Sequence, residues 1–262
     1  MDWDDAYANL PYIPDADHLL TRWEADAAAY RDALSQTDKA ALGISYGPSA
    51  RMAYDLFLPE GPTKGLCVFV HGGYWVKFDR SMWSHFAEGM RAQGYAVAMP
   101  SYDLCPAVTI PQITAQVATA IARAAAHTDG PIILVGHSAG GHLVARMCVP
   151  GVLPDKVADR IAHVMPISPV SDLRPLLNTA MNEDFCLGPE TARTESPALQ
   201  VPRNLRVTVW VGGAERPVFL DQARWLAEAW KAGHVVAAER HHLNVLAPLL
   251  DPESSMVRTL IS

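Results

Sequence analysis

The chain has 262 residues, half of them apolar, and a formal net charge of −7 at pH 7. This length and composition fit one large α/β domain, residues 1–262, built around a single core. The negative charge and the lack of any Lys/Arg block exclude the cation cluster that phosphate-backbone binding requires, so nucleic acid is not an expected partner.

The expected location is the cytoplasm. The first residues, Met-Asp-Trp-Asp-Asp, do not have the basic and apolar regions of a secretory signal, and no apolar run reaches membrane-spanning length. The four cysteines are scattered and form no C-x-x-C pair, which favours buried thiols over a disulfide framework or a zinc ribbon. A small-molecule substrate is therefore the expected partner, with no membrane contact, and a homodimer stays open.

The first half of the chain begins with a helix and then turns to strands. Residues 17–35 carry apolar side chains at helical spacing and predict an N-terminal helix. Residues 52–58 place their larger apolar side chains on alternate positions, which predicts a half-buried strand near a sheet edge. The continuous apolar run at 66–70 predicts the first strand that helices cover on both faces.

Strands and helices then alternate, as in a mostly parallel, doubly wound α/β sheet flanked by helices. The predicted strands are 96–99, 132–135, 161–167, 205–211 and 235–238, and the predicted helices are 113–126, 140–148, 218–231 and a closing C-terminal helix. The alternation lapses between 171 and 202, where Pro and charged residues are scattered. We interpret this stretch as a small cap segment over the site, one that decides the substrate.

A nucleophile motif lies between a predicted strand and a predicted helix. Gly136-His137-Ser138-Ala139-Gly140 matches G-x-S-x-G, in which a sharp turn presents the serine above the sheet. A glycine-rich turn that binds phosphate or merely packs closely is the alternative, but the strand before and the helix after the motif disfavour it. Ser138 is the predicted nucleophile.

A serine nucleophile needs fixed hydrogen-bond donors for the oxyanion that its attack creates. The backbone N–H of Ala139 is one candidate, and Gly72 and Gly73, which follow the strand at 66–70, are the others. Packing against the core explains the neighbouring aromatic residues as well as substrate contact does. Three side chains are pocket candidates: Tyr74, Trp75 and His137.

The acid and the base are expected after the last two strands, since the triad order of this fold is Ser, Asp or Glu, then His. Glu215 follows the strand at 205–211 and is the predicted acid. Asp221 competes, although its place near a helix N-terminus is also explained by the helix dipole. His241 and His242 adjoin after the last strand, and either could be the base.

Metal catalysis has little support in the sequence. His137 and His142 do not have H-E-x-x-H spacing, and no cluster of acidic residues and histidines completes a ligand set. We expect no metal and no cofactor.

At these residues the chain resembles the kynurenine formamidases (arylformamidases) of the α/β-hydrolase superfamily and, more distantly, the hormone-sensitive-lipase-like esterases. The resemblance covers nearly the whole chain from about Tyr12. The matching segments are His71-Gly72-Gly73-Tyr74-Trp75, which reads HGG-x-W rather than HGGG, Gly136 to Gly141, Gly212 to Phe219, His242-Leu243-Asn244-Val245 and Tyr54 to Pro59.

The resemblance implies an α/β-hydrolase fold, His242 rather than His241 as the base, and hydrolysis of N-formylkynurenine to kynurenine and formate through a formyl-enzyme. Many relatives carry Asp where Glu215 stands, although a Glu can serve with its longer reach. The residues themselves indicate only acyl transfer. A small-ester carboxylesterase and a catalytically silent binding scaffold are the alternatives.

Overall fold

The computed structural model describes residues 2–262 and contains one eight-stranded sheet with the strand order β1-β2-β4-β3-β5-β6-β7-β8. The strands are β1 (Ala40–Ser45), β2 (Ala53–Phe57), β3 (Leu66–Val70), β4 (Ala96–Pro100), β5 (Ile132–His137), β6 (Ile161–Ile167), β7 (Thr208–Gly212) and β8 (Gly233–Ala237). Only β2 pairs in antiparallel fashion, with β1 and with β4. The mostly parallel sheet predicted from the sequence is confirmed.

Helices flank the sheet on both faces. The α-helices are α1 (Trp3–Tyr7), α2 (Ala16–Ser35), α3 (Glu88–Ala92), α4 (Ile110–Ala124), α5 (Ala139–Arg146), α6 (Asp155–Ala158), α7 (Asn182–Phe185), α8 (Pro189–Thr194), α9 (Pro217–Trp230) and α10 (Ser255–Ile261). Short 3₁₀ segments include Leu10–Tyr12, Arg80–Ala87, Arg174–Asn178, Pro197–Leu199 and Asn244–Leu250. Within residues 2–262, no helix is both long enough and apolar enough to cross a bilayer.

The buried strands divide the core into two apolar layers. Along β3, Leu66 and Val68 join the layer beneath α4, α5 and α9, whereas Cys67 and Phe69 join the layer beneath α2 and α10. Successive side chains of a strand point to opposite faces, so a strand covered on both sides must be apolar throughout. This explains the continuous apolar run at 66–70.

The edge of the sheet differs from the prediction. The strand predicted at 52–58 as half-buried is β2, which is buried throughout because β1 lies outside it. The sequence of β1, Ala-Ala-Leu-Gly-Ile-Ser, is poor in strand-forming residues and is interrupted by an irregularity between Ala41 and Ile44. The helical stretch from Arg80 to Ala92 is also absent from the sequence prediction.

The segment 171–202 follows β6, where the sequence analysis located it, and consists of short helical pieces. A buried ion pair holds it down: Glu195 accepts hydrogen bonds from Arg146 of α5 at 3.1 and 3.2 Å and from Thr114 of α4 at 2.9 Å. Its apolar side chains, Phe185 among them, belong to the core layer beneath α4, α5 and α9. The segment is thus packed down onto that layer.

Candidate active site

Ser138 occupies a strained turn between β5 and α5. Its φ of 55° and ψ of −116° lie in a region that residues with a side chain rarely adopt. A Cβ added to Gly140 would lie 2.0 Å from the carbonyl oxygen of Val70, so only glycine permits this close approach. The Ser138 N–H donates to the carbonyl of Ile167 at 2.8 Å, which fixes the turn against β6.

His242 and Glu215 form a buried pair beside this turn. The His242 Nδ1–H donates to Glu215 Oε2 at 2.6 Å, and the Glu215 carboxylate is fully buried. The other carboxylate oxygen accepts hydrogen bonds from the Ser168 hydroxyl and from the Gly212 N–H. Because Nδ1 carries the proton, the lone pair of His242 Nε2 is available to accept one.

The backbone of His242 is held by His137, the residue before Ser138. The His137 Nε2–H donates to the His242 carbonyl at 2.8 Å, and the two rings lie 4.6 Å apart. Burial holds the pKa of His137 well below its usual range, so its ring is neutral. Ser138 and His242 line one cavity without a direct hydrogen bond between them, a contact that often tightens only in the substrate complex.

The geometry separates the two competing assignments. The Asp221 side chain is about half exposed on α9 and bonds to Arg224 at 2.9 Å, away from His242. His241 uses its ring differently: Nδ1 accepts the N–H groups of Leu243 and Asn244 at the start of a 3₁₀ segment. Glu215 and His242 are therefore the acid and imidazole that meet.

The glycine loop after β3 packs directly against the serine turn. A Cβ on Gly72 would lie 3.1 Å from the Ser138 Cβ, and Gly73 has a φ of +111° that a residue with a side chain would strain to adopt. The N–H groups of Gly72, Gly73 and Ala139 donate to no other residue in the described part of the chain. These are unused donors beside the nucleophile candidate.

A cavity of about 80 Å³ adjoins Ser138. Its lining residues are Asn9, Leu10, Leu20, Gly73, Tyr74, Lys77, Phe78, Trp83, His137, Ser138, His242 and Leu243. Of the three predicted pocket side chains, Tyr74 and His137 line it and Trp75 does not. Trp75 is fully buried and packs between the rings of His142 and Phe185, at 5.1 and 5.5 Å, so its role is to support the loop.

The N-terminal strap, residues 3–13, covers the cavity. The Tyr74 hydroxyl donates to the carbonyl of Tyr7 at 2.7 Å, and Gln222 of α9 donates to the Tyr7 hydroxyl at 2.7 Å. Arg216, next to Glu215, pairs with Asp5 at 2.6 Å and stacks over Tyr12. The strap is thus tied both to the glycine loop and to the loop that carries the acid.

The expectation that residues 171–202 form a cap over the site is wrong in its placement. No residue of that segment lines the cavity beside Ser138, whereas the strap contributes Asn9 and Leu10. The physical reason is that Glu195 and the apolar side chains of the segment are drawn onto the helices of the adjacent core layer.

Several residues at the site were missed by sequence reasoning. Ser168 orients Glu215, and its position directly after β6 is a signal that could have revealed it, because the ends of parallel strands share one edge. Asn9, Lys77 and Trp83 line the cavity but belong to no motif, so no local pattern identifies them. Among residues 2–262, no group of three or more His, Cys, Asp or Glu side chains could hold a metal ion.

Comparisons with known proteins identify the family to which the chain belongs. A sequence profile of the family described as alpha/beta hydrolase fold matches residues 67–245. The chain is 29% identical over 238 residues to kynurenine formamidase from Drosophila melanogaster, covering 83% of this chain and 79% of the fly protein. A solved structure from Silicibacter sp. TM1040, provisionally described as a thioesterase, is 57% identical, with a TM-score of 0.98 and 100% coverage of both chains. Esterase B from Lactobacillus rhamnosis, at 19% identity, a TM-score of 0.65 and coverages of 94% and 93%, shares the fold.

Proposed function

Because the chain belongs to the α/β-hydrolase family and is a hydrolase, we propose that it cleaves a small aryl formamide through a Ser138–His242–Glu215 triad. N-formylkynurenine, which would yield kynurenine and formate, is the proposed substrate. The family membership and the similarity to kynurenine formamidases agree with the resemblance and the fold predicted from the sequence motifs. The catalytically silent scaffold is not kept as an alternative, since the family and its named relatives are hydrolases.

The proposed first half-reaction is acyl transfer to Ser138. His242 Nε2 takes the hydroxyl proton as Oγ attacks the formyl carbon, and the Glu215 carboxylate, 2.6 Å from Nδ1, stabilises the imidazolium that forms. The unused N–H groups of Gly72, Gly73 and Ala139 bind the oxyanion of the tetrahedral intermediate. Donors of this kind are worth about 10²- to 10³-fold in rate each.

Collapse of this intermediate completes acyl transfer: the C–N bond breaks and the imidazolium gives its proton to the departing amine nitrogen. The second half-reaction regenerates the serine. Water, deprotonated by His242, attacks the formyl-serine ester; the ester C–O bond then breaks, Ser138 Oγ takes the proton back from His242, and formic acid leaves and ionises to formate. No cofactor enters either step.

The lining of the cavity beside Ser138 supports the substrate assignment. Trp83 and Phe78 offer aromatic surface to an aryl ring, and Lys77, exposed and in no salt bridge within the described chain, could meet a substrate carboxylate.

Small esters are the second candidate, since the same chemistry cleaves them and the solved neighbours include an esterase. The 57% identical protein that is provisionally described as a thioesterase adds acyl thioesters to the substrates worth assaying.

We also propose a cytoplasmic location, where the thiols of Cys67, Cys105, Cys148 and Cys186 stay free.

The test is a comparison of kcat/KM for N-formylkynurenine, p-nitrophenyl acetate and a short acyl thioester, with wild type and Ser138→Ala. We expect the formamide to be preferred and Ser138→Ala to lose about 10⁴-fold or more. The matched control is Ser45→Ala, at an exposed serine on the sheet edge, which should change nothing. Turnover of the ester or thioester without the formamide would replace the proposed substrate.

A further inference from the structure

Asn9 in the N-terminal strap is an unusual residue to find buried without partners. The residue is 92% buried, yet neither Oδ1 nor Nδ2 of its side chain has a hydrogen-bond partner within the described chain. Buried polar groups of folded proteins are nearly always paired, so an exception calls for an explanation. A binding site that a substrate completes is one such explanation.

The surroundings of Asn9 point to the reaction centre. Asn9 lines the cavity beside Ser138, and it also lines the adjoining cavity that holds Glu215. His242 is the other residue that borders both cavities. Asn9 therefore lies beside the proposed base and borders the space that a substrate would fill.

The backbone of Asn9 is fixed, so this placement is not accidental. The Asn9 carbonyl accepts the N–H of Tyr12 at 3.0 Å in the turn that begins the Leu10–Tyr12 segment. On the other side of Asn9, Tyr7 is fully buried and bonded to Tyr74 and Gln222. The strap thus fixes the backbone of Asn9 at the rim of the cavity.

Few other polar groups of the cavity remain for a ligand to use. The Tyr74 hydroxyl already donates to Tyr7, and His137 Nε2 already donates to His242. The unpartnered Trp83 Nε1 and His137 Nδ1 offer one hydrogen-bonding function each. Apart from the proposed nucleophile Ser138, Asn9 is the cavity residue of the described chain whose side chain offers both an unpartnered donor and an unpartnered acceptor.

We infer that Asn9 determines the specificity of the site for formamides over esters, its Oδ1 accepting the N–H of the scissile amide. This inference rests on the proposed function. The leaving nitrogen must lie beside His242, because it receives the proton from that imidazole, and Asn9 borders His242 there. An ester has oxygen in place of the N–H and would leave Asn9 Oδ1 buried without a donor.

The experiment uses a matched pair of substrates, an aryl formamide and the aryl formate in which oxygen replaces the N–H. We expect Asn9→Leu, which keeps the shape and removes both polar atoms, to lower kcat/KM for the formamide by roughly 10- to 100-fold. The formate should change by less than about threefold, because it never used Oδ1. Asn9→Ala is the second variant if Asn9→Leu does not fold, as judged by its melting temperature.

The control is Leu10→Ala, which removes an apolar lining residue from the same strap. This variant should lower kcat/KM for both substrates by the same factor. An equal loss on both substrates with Asn9→Leu, or no loss on either, would overturn the inference while leaving the proposed function intact. If wild type does not hydrolyse the formamide at all, the proposed function fails and the role of Asn9 fails with it.

Discussion

The N-terminal strap, residues 3–13, and the insertion, residues 171–202, both lie outside the sheet and differ in what they contact. The strap is bonded to Tyr74 and Arg216, which flank the glycine loop and the acid loop, and it lines the cavity. The insertion is longer but is anchored through Glu195 to α5, and it lines no part of that cavity. Anchoring points, rather than length, decide which segment can shape the substrate site.

The comparison assumes that the loops at the carboxyl ends of the strands supply the chemistry, so the largest effect is expected in those loops. Glu215→Gln should lower kcat about 10³- to 10⁴-fold, because the amide no longer holds His242 in the tautomer that accepts the serine proton. Asp221→Asn, on the exposed face of α9, should stay near wild type. Steady-state kinetics with both variants checks this, and the reverse ranking would make Asp221 the acid.

The insertion should matter for stability and little for activity. Glu195→Ala leaves Arg146 buried without its partner, which costs about 3–5 kcal/mol and should lower Tm by roughly 10 °C in a chain of this size. Glu190→Ala removes only an exposed ion pair with Arg193 and should leave Tm nearly unchanged. A KM that rises with Glu195→Ala, measured well below the Tm of the variant, would mean that the insertion does shape the substrate site.

Changes in the strap should affect substrate binding more than stability. Arg216→Ala removes the pair with Asp5 and the stacking on Tyr12, so the cavity is fully formed in a smaller fraction of molecules. We expect KM to rise roughly three- to tenfold with a small change in Tm. The matched control is Arg224→Ala on α9, whose partners are exposed. An unchanged KM would mean that these two contacts do not hold the strap.

The smallest expected effect is a pH dependence of stability caused by His142, which contacts the insertion. His142 donates to the backbone carbonyl of Glu195 in the insertion, and burial lowers the pKa of His142 to about 4. The unfolded chain takes up a proton near pH 6.5 that the folded chain resists, so stability falls as pH drops from about 6.5 to 4. His142→Gln should reduce that proton uptake on unfolding by about one.

Urea denaturation at several pH values measures the uptake, and His18→Gln, at an exposed histidine, is the control. An unchanged pH slope in His142→Gln would show that His142 keeps its ordinary pKa in the folded chain.

The sequence predicted the parts of the fold and of the site that depend on local patterns. β3 is buried on both faces and ends in the glycine loop, and the turn around Ser138 needs glycine where the backbone approaches Val70. Such requirements act within a few residues and so leave a readable pattern.

The parts that were missed depend on contacts between distant segments. Asn9 has no motif, and its place at the cavity follows from Tyr7 meeting Tyr74 and Gln222, far along the chain. Trp75 looked like a pocket residue, but the helical pieces of the insertion bury it. No pattern within either segment announces these contacts, because tertiary packing decides them.

The most direct test of the account is labelling with a fluorophosphonate probe, followed by peptide mass spectrometry. We predict one label per chain on Ser138, slowed by excess aryl formamide, and no label on Ser138→Ala. A label on another residue, or formamide hydrolysis that continues after Ser138 is fully modified, would contradict the assignment of the nucleophile.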